Sequence, residues 1–115
     1  MISMRKGEIW LINLNPTIGP EIRKMRPAVI VNDNAVGVLP LRVIVPLTDW
    51  KERYAIALWM VKIEPAEANG LTKTSAADSL QIRSISTERF VSQIGTIAPE
   101  KLESILSAIQ AVIGK

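Results

Sequence analysis

At 115 residues, 48% hydrophobic and 22% charged, the chain has the size and composition of one globular domain, residues 1–115, with a modest core. It has no His and no Cys, which excludes imidazole acid–base chemistry, thiol nucleophiles, disulfides and thiolate metal sites, and no apolar run approaches the ~20 residues of a membrane span. The net charge of +3 is a weak pointer to an anionic partner, but its placement is more pointed: Arg23, Lys24 and Arg26 fall within four residues, and Lys51 and Arg53 share a second loop.

Gly7 to Leu14 reads as a strand, with Trp10, Ile12 and Leu14 on one face and Ile9 and Leu11 on the other. A strand apolar on both sides suits a small barrel covered by a helix or by a partner chain. The prolines and glycine of Asn15–Pro20 end it. Pro27 to Asn32 is the second strand, in which Pro27 fits only at the first position or on an edge, having no N–H for the ladder. After a turn at Asp33–Gly37, Leu41 to Leu47 forms the third strand, and Trp50 to Arg53 an exposed loop. Ala57 to Ile63 is a fourth strand and Glu64 to Gly70 a long loop closing on Asn69-Gly70. Ser79 to Ile85 and Val91 to Ile97 are two further short strands, with a helical turn at Ser86–Arg89. Trp10 and Trp59 lie within strand patterns and are assigned to the core, whereas Trp50 and Tyr54 are loop aromatics.

The last element is a helix. Pro99 suits its first position, Glu100 its positive end and Gly114 its termination. Leu102, Ile105, Leu106, Ile109, Val112 and Ile113 recur at helical spacing and are assigned to the core. Short strands followed by one helix predict a mainly β fold with a C-terminal α-helix, a small SH3-like β-barrel.

Several blocks then resemble the MazF/PemK (Kid) toxin family, in order along the chain. They are Arg5-Lys6-Gly7-Glu8-Ile9-Trp10 with Leu14-Asn15-Pro16-Thr17, then Gly19-Pro20-Glu21-Ile22-Arg23-Lys24-Met25-Arg26-Pro27 running into Ala28-Val29-Ile30-Val31-Asn32-Asp33. Val45-Pro46-Leu47-Thr48, Leu71-Thr72-Lys73, Ser75 to Ile85 and Ile94-Gly95-Thr96-Ile97 complete the set. The resemblance implies a barrel of the MazF/CcdB type, a toxin of a type II toxin–antitoxin system and a metal-independent, sequence-specific endoribonuclease that needs no cofactor. The cytoplasm is the expected location, because Met1–Lys6 lacks the long apolar core of a signal peptide and no run spans a membrane. It also implies a homodimer, single-stranded RNA as substrate, and inhibition by a MazE-like antitoxin with a partly disordered acidic tail. DNA would be met only through the antitoxin complex. The family's catalytic Arg before Pro corresponds to Arg26, its catalytic Thr to Thr48 and its loop acid to Glu21. The chain departs from the family at Leu80, where some members have an acid before Gln81; Asp78 lies two residues earlier, on the same face if this stretch is a strand.

The residues fit the implied chemistry. RNA can be cut by its own 2′-OH if an enzyme helps remove that proton, stabilises charge on phosphorus and protonates the leaving 5′-oxygen. The guanidinium of Arg26 suits the phosphate oxygens, and Thr48 has a hydroxyl to donate. Glu21 is a base or a group that holds Arg26; arginine itself gives up its proton too reluctantly to serve readily. The base stays open among Glu21, a perturbed Arg26 and a bound water. Arg23, Lys24, Lys51 and Arg53 are expected on phosphates and Gln81 and Arg83 at base edges. Two other readings stand beside this one: a toxin of the same fold acting on a protein such as DNA gyrase, and a catalytically silent binding module or co-repressor.

Overall fold

A computed structural model describes residues 3–114; Met1, Ile2 and Lys115 lie outside the described residues. The first strand, β1 (Glu8–Asn13), is buried on both faces as its pattern requires: Ile9 enters one apolar cluster, and Trp10 and Ile12 enter another with Leu14. β2 (Met25–Ile30) pairs antiparallel with β1 from Ile9↔Val29 to Asn13↔Met25. β3 (Leu41–Asp49) is the longest strand and the organising one. One edge carries β2, from Ala28↔Pro46 to Ile30↔Ile44. The opposite edge carries β6 (Arg83–Ser86) along Leu41–Ile44 and β5 (Ser75–Asp78) along Leu47–Asp49. β4 (Met60–Ile63) adds to β5, and β7 (Phe90–Thr96) adds to β1.

The path runs β4-β5-β3-β2-β1-β7. Among the described residues no ladder joins its two ends, so the barrel is open along that seam. The helix α1 (Pro99–Ile113) lies against β4. Ile105 is fully buried there with Ile9, Val29, Val45 and Leu47, flanked by Leu102, Leu106 and Ile109. Pro99 opens α1, and the Gly114 N–H closes it on the Gln110 carbonyl at 2.9 Å. The second cluster is covered by Met4, Ile22 and Phe90, with the Phe90 ring edge-on to Trp10 at 5.5 Å. No described helix is long and apolar enough to cross a membrane.

Four expectations change. Ile113 is 72% exposed, because the apolar stripe of α1 outruns the sheet beneath it. Trp59 is exposed rather than core, since β4 begins only at Met60 and Ala57 is held back by its N–H bond to the Tyr54 carbonyl. The loop at Trp50–Arg53 tightens into a helical turn, Glu52–Ile56. The strand expected over Ser79–Ile85 is broken: Asp78 caps the Leu80 N–H, residues Ser79–Gln81 make a helical turn, and the strand resumes at Arg83. Asp78 and Leu80 therefore do not share a strand face; Asp78 is buried and Leu80 is 56% exposed. Just before this break, Ser75–Asp78 forms a strand although Ser-Ala-Ala-Asp has little β preference. It sits fully buried between β3 and β4, where small side chains fit and pairing overrides propensity.

Candidate functional site

The β2–β3 ladder stops at Ala28↔Pro46. Pro27 and Pro46 stand at this point, and neither has an N–H to donate across it. β3 continues on its other edge by pairing Thr48 with Ala76 of β5, so its β2 edge is left open. Extending the ladder's register by two residues sets Arg26 across from Thr48. The strands part there, and a cleft of about 180 Å³ fills the gap, lined by Arg26, Thr48, Asp49, Gly70, Lys73 and Ser75 among others.

Arg26 is half-buried, and its Nε is buried with no hydrogen-bond partner. A guanidinium N–H without an acceptor costs stability, and Arg26 is one of the residues that line the cleft. Lys73 adds a second cation at the rim, held by Asp49 at 3.2 Å in an exposed ion pair of small energetic value. Arg26, Thr48 and Lys73 thus line one space large enough for a phosphodiester. Sequence reading gave Lys73 no role. Its signals are its place in the Leu71-Thr72-Lys73 block of the resemblance and a cation two residues before a strand that propensity does not reveal.

The floor of the cleft is set by glycine. A Cβ on Gly70 would stand 2.0 Å from the Ile94 carbonyl oxygen, and one on Gly95 would stand 2.4 Å from the Asn69 carbonyl carbon. The buried Asn69 amide fixes this crossing: its Oδ1 accepts from Ala66 and Leu71 N–H groups at 3.0 Å each, and its Nδ2 donates to the Glu64 carbonyl at 2.9 Å.

Glu21 does not line this cleft. It borders a separate groove with Leu80, Gln81 and Arg83, and its Oε1 accepts from the Ile18 N–H at 2.6 Å. Among the described residues it makes no ion pair with Arg26. The β1–β2 loop carries the cations expected on phosphates. Arg23 is exposed and donates to the Gly19 carbonyl at 3.0 Å, and Lys24 is exposed at φ +71°, a conformation that L-residues rarely adopt. Lys51 and Arg53 are exposed beyond β3. Arg53 lies 5.3 Å from the Tyr54 ring centre, and Tyr54 is edge-on to Trp50, with Lys62 over the indole at 5.3 Å. Arg83 reaches the Leu14 carbonyl at 3.4 Å. Gln81 is occupied at both ends of its amide by this chain itself: Oε1 accepts from Ile22 N–H at 2.6 Å, and Nε2 donates to Asp78 Oδ2 at 3.2 Å.

Burial pushes the Asp78 carboxyl up from the usual aspartate range, and the hydrogen bonds from Leu80 and Gln81 pull it partly back. The folded chain therefore holds this proton more tightly than the unfolded chain. The resulting stability is present at low pH and lost as pH rises from about 4 through the folded value. The difference in urea midpoint between wild type and Asp78→Asn is expected to move against the wild type across that window; a difference that stays constant with pH contradicts this.

Fold and cleft together define a small open β-barrel with a cleft in its wall lined by Arg26, Thr48 and Lys73. Residues 5–113 match the family of PemK-like, MazF-like toxins of type II toxin–antitoxin systems, and the chain belongs to that family. It is 32% identical over 113 residues to endoribonuclease MazF9 of Mycobacterium tuberculosis, covering 93% of each chain. It is 28% identical over 112 residues to endoribonuclease MazF of Staphylococcus saprophyticus, covering 96% of this chain and 92% of that one. Its fold matches the crystal structure of MazF from Deinococcus radiodurans with a TM-score of 0.81 at 20% identity over the whole of both chains. A MazE–MazF structure from the same organism matches with a TM-score of 0.73 at 21% identity, over 96% of each chain.

Proposed function

We propose that this chain is a toxin of a type II toxin–antitoxin pair that cuts single-stranded RNA by attack of the 2′-OH on the adjacent phosphate. The observation that carries this reading is that Arg26, whose Nε is buried without a partner, and Thr48 line the same cleft between β2 and β3. Relatives named endoribonuclease, aligned over nearly the full chain, support it.

In the reaction the 2′-oxygen bonds to phosphorus and the P–O5′ bond breaks. The 2′-OH proton leaves to a base, and a proton reaches the departing 5′-oxygen. The products are a 2′,3′-cyclic phosphate and a 5′-OH. Arg26 donates to the non-bridging oxygens as charge builds on them, and Thr48 donates a further hydrogen bond or orients the 2′-OH. Glu21 borders a separate groove, so in this reading it acts on RNA outside the cleft or on the loop that carries it. Arg23, Lys24, Lys51, Arg53 and Lys73 hold phosphates on either side, and Arg83 borders the groove with Glu21. The protein works as a homodimer in the cytoplasm, where an antitoxin with an acidic tail would find the same cationic loops.

The test is cleavage of a long unstructured RNA in excess EDTA with every new end mapped. Cuts at one recurring motif with 5′-OH ends are expected. A single 2′-deoxyribose 5′ to the cut phosphate is expected to abolish that cut; cleavage of this substrate would mean attack by water instead. Intact RNA from protein that still arrests growth would favour a protein target.

A further inference from the structure

The groove that Glu21 borders contains a hydrogen-bond relay whose polarity runs in one direction. Ile22 N–H can only donate, so it fixes the carbonyl end of the Gln81 amide at 2.6 Å. The NH₂ end is thereby turned towards Asp78 Oδ2 at 3.2 Å and the Pro20 carbonyl at 3.4 Å, which are both acceptors. Asp78 is itself anchored, its Oδ1 accepting the Leu80 N–H at 3.2 Å, and it is 95% buried at the end of β5. Each donor in this chain meets an acceptor, and no other orientation of the amide satisfies Ile22 and Asp78 together.

From this arrangement we infer that Asp78 and Gln81 form a positioning strut that holds the Pro20–Ile22 segment, and through it Glu21, Arg23 and Lys24, against the barrel in an RNA-receptive geometry. The inference rests on the proposed RNA cleavage for its kinetic consequence but not for the strut itself. Ile22 anchors the same segment by packing into the second apolar cluster, so losing the strut loosens the loop without detaching it. Arg26 and Thr48 stand on strands, so the loss falls mainly on KM.

Reversing the relay tests it. Asp78→Asn sets two NH₂ groups face to face, and Gln81→Glu sets two carboxylates face to face. Combined, Asp78→Asn with Gln81→Glu restores complementarity: the new asparagine donates to the new glutamate, whose other oxygen still accepts from Ile22. Only the 3.4 Å contact to Pro20 is lost. Each single variant is expected to raise KM about tenfold, a change equivalent to roughly one hydrogen bond, and to speed exchange of the Ile22 amide hydrogen about tenfold. The Val29 and Val45 amides, in the strand core, should stay protected. The double variant is expected to recover most of both losses. If it stays as impaired as Gln81→Glu while the Ile22 amide remains protected throughout, Gln81 acts on RNA directly and the strut is overturned. If the wild type cuts no RNA, the proposed function falls, and the exchange arm, which needs no substrate, still upholds or overturns the strut.

Discussion

Replacing Arg26 with alanine is expected to lower the rate of RNA cleavage by about 10²–10³, the usual cost of losing one preorganised donor to a charge that develops in the transition state, without lowering the melting temperature. The two halves of this result have one origin. Arg26 Nε is buried without a partner, so the folded protein already bears the cost of a desolvated donor. Removing the side chain relieves that cost, and the packing lost from its aliphatic stem offsets the relief in part. Polar groups left unsatisfied in the free protein and satisfied by the transition state are the expected form of a stability–activity trade. Arg26→Lys keeps the charge but loses the planar fork, so it should fall between wild type and alanine. Cleavage of a mapped RNA and thermal unfolding, measured on the same preparation, check both halves. Wild-type cleavage by the alanine variant would overturn the role of Arg26, and a large drop in melting temperature would mean that the guanidinium serves the fold.

Gly70→Ala is expected to be the most damaging single methyl addition in the chain, destabilising by about 2–5 kcal/mol, from overpacking against an immovable neighbour together with left-handed backbone strain. Gly70 has φ +69°, and its Cβ would meet the Ile94 carbonyl oxygen at 2.0 Å. That oxygen is backbone, so it can move only if β7 shifts away from the Glu64–Gly70 loop. The loop cannot yield easily either, because the buried Asn69 holds it at three points and Leu71 enters the core. Against a total stability of about 5–15 kcal/mol for a domain of this kind, such a loss is severe. Gly19→Ala is the control. Its φ of +58° carries the same backbone strain, but nothing lies within 4 Å of the added methyl, so it should cost only about 1–2 kcal/mol. Urea unfolding of the two variants separates strain from collision; equal midpoints would show that the crossing of Gly70 over β7 is looser than described. Gly70 also lines the cleft, so any surviving Gly70→Ala protein should cleave poorly.

The elements legible in the sequence are those with strong local signals. β1 announced its two buried faces through Ile9, Trp10 and Ile12. α1 announced itself through its spacing, Pro99 and Gly114, and the β1–β2 loop through its prolines, its glycine and its cations. The misread elements are those that contacts decide. Ser-Ala-Ala-Asp becomes β5 because two neighbouring strands enclose it, and Ser79–Gln81 leaves the strand because Asp78 caps Leu80. Trp59 is exposed because β4 starts one residue after it, and no pattern in the chain marks that start.

The candidate site divides in the same way. The sequence by itself determined the inventory: no imidazole, no thiol, an Arg-Pro step at the start of one strand, a threonine near the end of the next, and a basic loop between two strands. It also determined the fold class, because alternation and helical spacing are local properties of the chain. Only the tertiary structure decided which of these groups meet. β3 changes its pairing at Pro46, and this brings Arg26, Thr48 and Lys73 to one cleft while Glu21 faces another groove with Gln81. The physical reason is that a strand has two edges whose partners are chosen by long-range hydrogen bonding and packing. Residues more than twenty apart in sequence acquire a common chemistry only when that choice has been made.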